Sequence, residues 1–293
     1  MAVRIRRILS LSRQVLAFKG AALGAVFLAA LTLLALLAPV LPFDPLAQDI
    51  ANSLMPPSSR NWFGTDELGR DIVARVVYGA RTSLVTAVGA VSIAAAAGIP
   101  IGLLAGFFGG WRDAMLMRLV DVLLALPGIL LAMAMIAVLG RSQAAALVAV
   151  GITGVPSFAR ITRAQVLSLR KRDFVIAIEA LGATSSYNMF RTVLPNALSP
   201  ILVQVVVVSS VAILLEAALA FLGVGIPPPT PSWGEMLRTG KTYLHEAPYY
   251  AVLPGLVLTL TILSLDALGR ALSAVLEDRG EMGGDLAVER GGA

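Results

Sequence analysis

The chain has 293 residues, 57% of them hydrophobic and 14% charged, where an average soluble domain is about 25% charged. So few charges cannot cover a water-facing surface, and the expected solvent is lipid. The absence of cysteine excludes a disulfide framework, cysteine-ligated metals and thiol catalysis. The net charge of +5 is spread between apolar stretches rather than gathered in one patch, which argues for topology signals and against nucleic acid.

A helix crossing a hydrocarbon core of ~30 Å needs about 20 apolar residues. A lone segment in lipid must satisfy its own backbone, so each span is expected to be helical. Charge-free gaps place six spans over 20–43, 82–111, 122–140, 142–159, 192–215 (apolar to about Val224) and 247–265. The pattern predicts an all-α polytopic membrane protein. Arg4, Arg6 and Arg7 precede the first gap as they would a signal peptide. Its apolar core is longer than the roughly 7–15 residues of such a peptide, so an uncleaved span ending at Pro39 and Pro42 is expected. With six spans both termini share one side. If that side is cytoplasmic, inner segments hold sixteen of the 23 basic residues, among them Lys19, Arg112, Arg160, Arg163, Lys171 and Arg270. The positive-inside rule then places both termini in the cytoplasm.

The first long outer segment contains "NWFGTDELGRDIVARVVYGARTSL" (61–84). Leu68, Ile72, Val73, Val76 and Val77 repeat at helical spacing, which predicts an amphipathic helix from Glu67 to Val77 near the membrane surface. In span two, Gly98, Gly102 and Gly106 fall four apart and leave one face nearly bare backbone, as Gly20 and Gly24 do in span one; both suit close helix packing. Pro127 in span three and Pro156 near the end of span four each remove a helix hydrogen bond and predict kinks. Glu216 is the one acid well inside a span, about eight residues or roughly 12 Å from its outer end. A charge at a helix centre costs about 2.5–3.5 kcal/mol on insertion scales, so Glu216 should face the bundle interior or a water path. It is either a packing acid with a hydrogen-bond partner or a lining of the permeation path.

The second outer segment, about 225–249, opens with Pro227, Pro228, Pro229 and Pro231, a stiff non-helical turn. "GEMLRTGKT" (234–242) has five residues between its glycines where a phosphate-binding loop has four, and is read as chance. No usual ATP-binding loop is present, so an ATPase driving transport would be a separate chain. His245 stands alone, which argues against a metal site.

Between spans four and five lies "RDFVIAIEALGATSSYNMFRTVLPN" (172–196). Asp173 to Leu181 can form a short helix that Gly182 stops. Thr184, Ser185 and Ser186 are candidate N-caps for a second helix, which Pro195 is expected to close before span five. Phe174, Val175, Ile178, Leu181, Met189, Phe190 and Val193 supply an apolar face. Such a hairpin would lie across the inner end of the bundle. It would serve either as something to be pushed on from the cytoplasm or as a membrane-surface loop without a partner.

"ALGATSSYNMFRTVLPN" (180–196), with its lead-in "RITRAQVLSLRKRDFV" (160–175), resembles the cytoplasmic coupling loop of ABC importer permeases. Gly182, Val193, Leu194 and Pro195 match that family's glycine and apolar-Leu-Pro positions. "WFGTDELGRDIVARVVYGARTSL", "MRLVDVLLALPGILLAMA" (117–134) and "EAALAFLGVGIPPPTPSWGEML" are similar to the C-type permeases of dipeptide, oligopeptide and nickel importers. The chain departs from the family at Ile176, where a glutamate is usual. Ala177 matches the next position, and Glu179 stands three residues after Ile176. Either Glu179 supplies the acid from a shifted position, or docking here is mainly apolar.

The resemblance implies a type I importer permease fold: a tail and first span over 1–60, the amphipathic segment at 61–82, a transmembrane domain over 83–275 containing the coupling loop 172–195, and a tail over 276–293. It implies a multi-pass, non-catalytic transport subunit in a prokaryotic inner membrane. Its implied partners are a homologous second permease, two ATP-binding subunits that carry ATP and Mg, and an external substrate-binding protein touching the 225–249 loop. No cofactor is expected in this chain. Docking residues are expected at Phe174, Ile176, Ala177, Glu179, Ala180, Leu181, Gly182, Tyr187, Leu194 and Pro195, with Glu216 in the interior. Peptides are the leading substrate class and nickel chelates the second. A secondary transporter with Glu216 as proton carrier would instead need inverted repeats, and the sequence has none.

Overall fold

The computed structural model describes residues 14–42 and 44–291, with side chains as far as residue 276. Arg4, Arg6, Arg7 and Arg13, and the side chains of Arg279 and Arg290, lie outside the described residues. The long helices are α1 (Lys19–Leu37), α2 (Ile72–Phe108), α5 (Gln143–Leu169), α7 (Leu194–Phe221) and α9 (Tyr249–Gly291). Between them stand α3 (Gly110–Leu124), α4 (Gly128–Leu139), α6 (Asp173–Ala180) and α8 (Trp233–Thr242). Five stretches are long and apolar enough to cross a membrane, and α3 with α4 makes a sixth if the bent pair is one span.

The third span, expected to be kinked at Pro127, is the main departure. Its residues divide between α3 and α4, which meet at 85°. Pro127, which cannot donate a backbone bond and disfavours helix before it, stands at the N-terminal cap of α4. The predicted kink is therefore a break. The carboxylates of α3 find partners on α5: Asp113 takes both Arg163 Nε and Nη2 at 2.6 Å, and Asp121 takes Arg160 Nη2 at 2.8 Å. Pro156, in contrast, stays within α5.

The separate surface helix over Glu67–Val77 is also corrected. Glu67 to Asp71 form a turn, and α2 begins at Ile72 and runs on through the span. The Asp71 carboxylate caps it by accepting from Ala74 N at 2.8 Å, which satisfies one of the free amides of the first turn. The apolar period there reflects burial of Ile72 and Val76 in the protein core, a pattern that membrane-surface burial would also produce.

The helix packing centres on α2 against α5. A Cβ on Gly98 would lie 2.6 Å from the Val155 carbonyl oxygen, one on Gly102 2.3 Å from that of Ala159, and one on Gly106 2.9 Å from that of Arg163. The matching step of four on both chains means that α2 and α5 run parallel in register, backbone on backbone. Gly24 likewise seats against Ser264 of α9, whereas Gly20 faces open space. Replacing Gly102 with Leu is therefore expected to destabilise the chain by at least about 1–3 kcal/mol. A lowered melting temperature of the detergent-solubilised protein, with Gly20→Leu near wild type, is the check.

Candidate functional site

The 172–195 segment closes one end of the bundle, and its local chemistry explains its shape. Asp173 sits in the first turn of α6, where a carboxylate complements the helix dipole. At the other end Gly182 adopts φ +84°. Its amide donates to Glu179 O at 3.0 Å, and Ala183 N donates to Ile178 O at 3.3 Å. This pair of bonds is the Schellman termination, which favours glycine at the left-handed position. Thr184 then caps the next turn, its Oγ1 accepting from Tyr187 N at 3.3 Å.

Pro195 does not close that second helix. Ser185–Tyr187 passes through a π-helical turn, Asn188–Val193, directly into α7, and Ser185–Phe221 is continuous. Pro195 lies in the first turn of α7 and lacks the amide that an α-helical ladder would use there. The wider π turn absorbs the mismatch, as such bulges do at functional sites. The Asn196 side chain donates to Thr192 O at 2.7 Å and satisfies a carbonyl beside the gap.

Buried anchors hold the loop. Val175, Met189 and Val193 pack with Leu103 and Phe107 of α2 and Val166 of α5. Arg170 donates to Phe107 O and stacks over the Phe107 ring. The predicted apolar face therefore splits. Val175, Met189 and Val193 point inward and Ile178 is half-buried, while Phe174, Leu181 and Phe190 point out. Ile176, Ala177, Glu179, Ala180, Gly182, Tyr187 and Pro195 are also exposed, and Leu194 is half-buried. Leu181 is 86% exposed. Phe174, Ile176, Leu181, Tyr187 and Phe190 thus present an apolar surface on a rigid support, the mark of a protein contact. Glu179 makes no ion pair among the described residues.

Glu216 is buried between α7 and α2, and Ser83 Oγ donates to its Oε2 at 3.0 Å. Its other oxygen has no hydrogen-bond partner. The opposite end of the bundle holds a network that sequence reading missed, because its central link joins Arg75 to Glu235, 160 positions away in the chain. Asp66 accepts from Arg70 Nε at 2.6 Å and faces Arg75 Nε at 3.2 Å. Arg75 Nη2 reaches Glu235 Oε2 of α8 at 3.2 Å. Tyr250 of α9 donates to Glu67 at 2.7 Å, and Trp233 Nε1 donates to Val76 O at 3.0 Å. The stretch resembling a phosphate loop is thus α8, with Glu235 bound to Arg75. Arg75→Met deprives Glu235 of its buried arginine while Asp66 keeps Arg70, and is expected to cost about 3 kcal/mol. Thermal melting of the purified chain should show a smaller loss in Arg75→Met with Glu235→Gln than in Arg75→Met alone.

A bundle of apolar helices with a firmly packed, apolar-surfaced loop at one end defines a membrane protein that offers a contact surface at that end. The comparisons give it a family. Residues 98–279 match the binding-protein-dependent transport system inner membrane component, and residues 13–57 match the N-terminal transmembrane domain of oligopeptide transport permease C. The chain is 40% identical over 262 residues to the dipeptide transport system permease protein DppC of Alkalihalophilus pseudofirmus, covering 89% of this chain and 86% of that one. It is 41% identical over 268 residues to the di/tripeptide transport system permease protein DppC of Pseudomonas aeruginosa, covering 89% and 88%. A glutathione transport system permease protein, GsiD of Escherichia coli, is 41% identical over 223 residues, covering 76% and 74%. Among solved structures, a chain of the inward-facing MetNI methionine ABC transporter aligns with TM-score 0.54 at 19% identity, over 69% of this chain and 97% of its own length. The chain therefore belongs to the binding-protein-dependent ABC importer permeases of the DppC/OppC type. It is a non-catalytic, multi-pass subunit of the bacterial inner membrane with the type I importer fold.

Proposed function

We propose that this permease forms half of the translocation path of an importer for dipeptides and short oligopeptides. Its partners in that reading are a homologous second permease, two ATP-binding subunits that hold ATP and Mg, and an external binding protein that meets the 225–249 side. The termini and the 172–195 loop lie in the cytoplasm, as the distribution of basic residues requires. The peptide assignment is supported by the dipeptide and di/tripeptide permeases among the relatives.

One observation carries the coupling role: exposed Phe174, Leu181 and Tyr187 stand on a loop whose buried side packs Val175, Met189 and Val193 against α2 and α5. A push on the exposed face reaches two membrane helices through close-packed atoms, which transmit strain rather than absorb it. Docking is mainly apolar, since Ile176 occupies the family's acidic position and Glu179 has no partner holding it in place.

Purification of the tagged chain in mild detergent should recover a second permease and ATP-binding subunits, with ATPase activity stimulated by dipeptides and binding protein. Recovery of the chain alone, with uptake driven by an ion gradient, rejects the reading. Within the complex, Leu181→Asp should cost about 2 kcal/mol or more of ATPase-subunit affinity, and Glu179→Ala less than about 1 kcal/mol, by co-purification titration. Gly182→Val forces a branched side chain into left-handed backbone at about 1–2 kcal/mol. It should abolish uptake and ATPase coupling with normal membrane insertion, and unchanged uptake rejects the lever role.

A further inference from the structure

α5 differs from every other long helix. α1, α2, α7 and α9 each expose several large hydrophobic side chains, while α5 exposes none among the described residues. Its exposed residues beyond the first turn include Ser157, Arg160, Ala164 and Ser168, with Thr153 half-buried in line with them. These positions fall on one face at the 3.6-residue period, a stripe of small, polar and charged groups. Ser157 lies within about one residue of the middle of Gln143–Leu169. Gln204 lies within about one residue of the middle of Ser185–Phe221. Gln204 therefore sits near the middle of its span, and Ser157 lies three residues before Arg160 toward the inner end of its own. Thr153, Ser157 and Gln204 line one cleft of about 80 Å³ between α5 and α7, with room for water. The Thr153 hydroxyl donates to Val150 O at 2.7 Å. The Ser157 hydroxyl and the Gln204 amide make no hydrogen bond among the described residues.

Lipid cannot be what this face meets, because an unsatisfied amide or hydroxyl in hydrocarbon costs several kcal/mol. A dry helix contact is also a poor fit. Arg160, 58% exposed, and Asp121, 56% exposed, form their ion pair on the same stripe, about 10 Å from Thr153 toward the loop end. A half-exposed charge pair beside the stripe is satisfied by water rather than by lipid. Each polar group on the stripe is consistent with a wetted passage.

On the importer reading above, we propose that the α5 stripe is this subunit's wall of the path. In this proposal the Thr153–Ser157–Gln204 cleft is a station that hydrogen-bonds the backbone amides of a peptide in transit. Gln204 both donates and accepts, and Ser157 can do the same, which matches a peptide group in either direction. Glu216 is not part of this wall: it faces Ser83 of α2. Ser157 and Gln204 carry no charge, so the station reads backbone and leaves the side chain of the cargo unselected.

The chain contains no cysteine, so Ser157→Cys and Ala164→Cys each introduce one thiol. In the assembled importer in membranes, a charged methanethiosulfonate reagent should modify both. It should leave Leu256→Cys and Leu263→Cys, on the apolar outer face of α9, unmodified, as read on this chain by mass. Unmodified Ser157→Cys and Ala164→Cys mean a dry stripe and overturn the proposal. Gln204→Met keeps the shape and removes the hydrogen bonds. Uptake of alanyl-alanine should fall about tenfold, with co-purification of the second permease and ATPase stimulation by the binding protein at wild-type levels. Unchanged uptake overturns the station. Loss of the second permease from the complex assigns Gln204 to the subunit interface and also overturns it. A wild-type importer that moves no dipeptide defeats the peptide reading by itself, while the thiol pattern still decides whether the stripe is wetted.

Discussion

The glycine seam between α2 and α5 is the contact on which the other features depend. Three glycines on α2 face three carbonyls on α5, each step four residues long, so the two helices are held in one register as well as at one distance. In lipid no hydrophobic force pushes helices together, and close backbone approach with dispersion is what remains. The seam ends at Phe107 and Val166, the residues on which the coupling loop is anchored. At its other end α2 carries Arg75 into the ion network with α8. Whatever displaces the loop must therefore displace α2 and α5 together, and the outer network moves with them.

Fixed register also explains why the loop needs a Schellman stop and a π turn rather than a flexible linker. In the proposed lever role, the loop transmits displacement only if its own backbone is determined. Gly182 and the Thr184 cap define the bend of the hairpin, and the π turn delivers the chain into α7 without a break. The broken third span works at the same end of the bundle, where Arg163 faces both Gly106 and Asp113. α3 lies at 85° to α4 and is clamped to α5 by Asp113 and Asp121, so its charges travel with the seam.

Much of this was legible in the sequence for identifiable reasons. The helix stop at Gly182, the cap at Thr184 and the glycine spacing in α2 are local signals, each with a short-range cause. Spans one, two, four, five and six were legible because lipid demands long uncharged runs. The third span misled because a charge-free gap says nothing of a fold-back: the residues of α3 before the gap are charged, yet helical and paired. Pro195 misled because its effect depends on whether the preceding turn can widen. The outer network was invisible, since Arg75 and Glu235 are 160 positions apart and no local pattern records a long-range ion pair.

Two kinds of polar residue occur inside the hydrophobic spans, and the structure treats them differently. Glu216 drew attention in the sequence because a charge in a span is costly, and the protein resolves that cost by burial against Ser83. Ser157 and Gln204 drew none, because uncharged polar residues are common in membrane helices. Their setting makes them informative: Ser157 of α5 and Gln204 of α7 line one cleft, and neither makes a hydrogen bond among the described residues. In lipid a buried acid held by a hydroxyl donor is a packing element, whereas a hydroxyl or amide left without a partner on a cleft calls for a polar group from outside the chain. The path is therefore better sought along the face where hydrogen-bonding capacity is left over than at the residue with the largest formal charge.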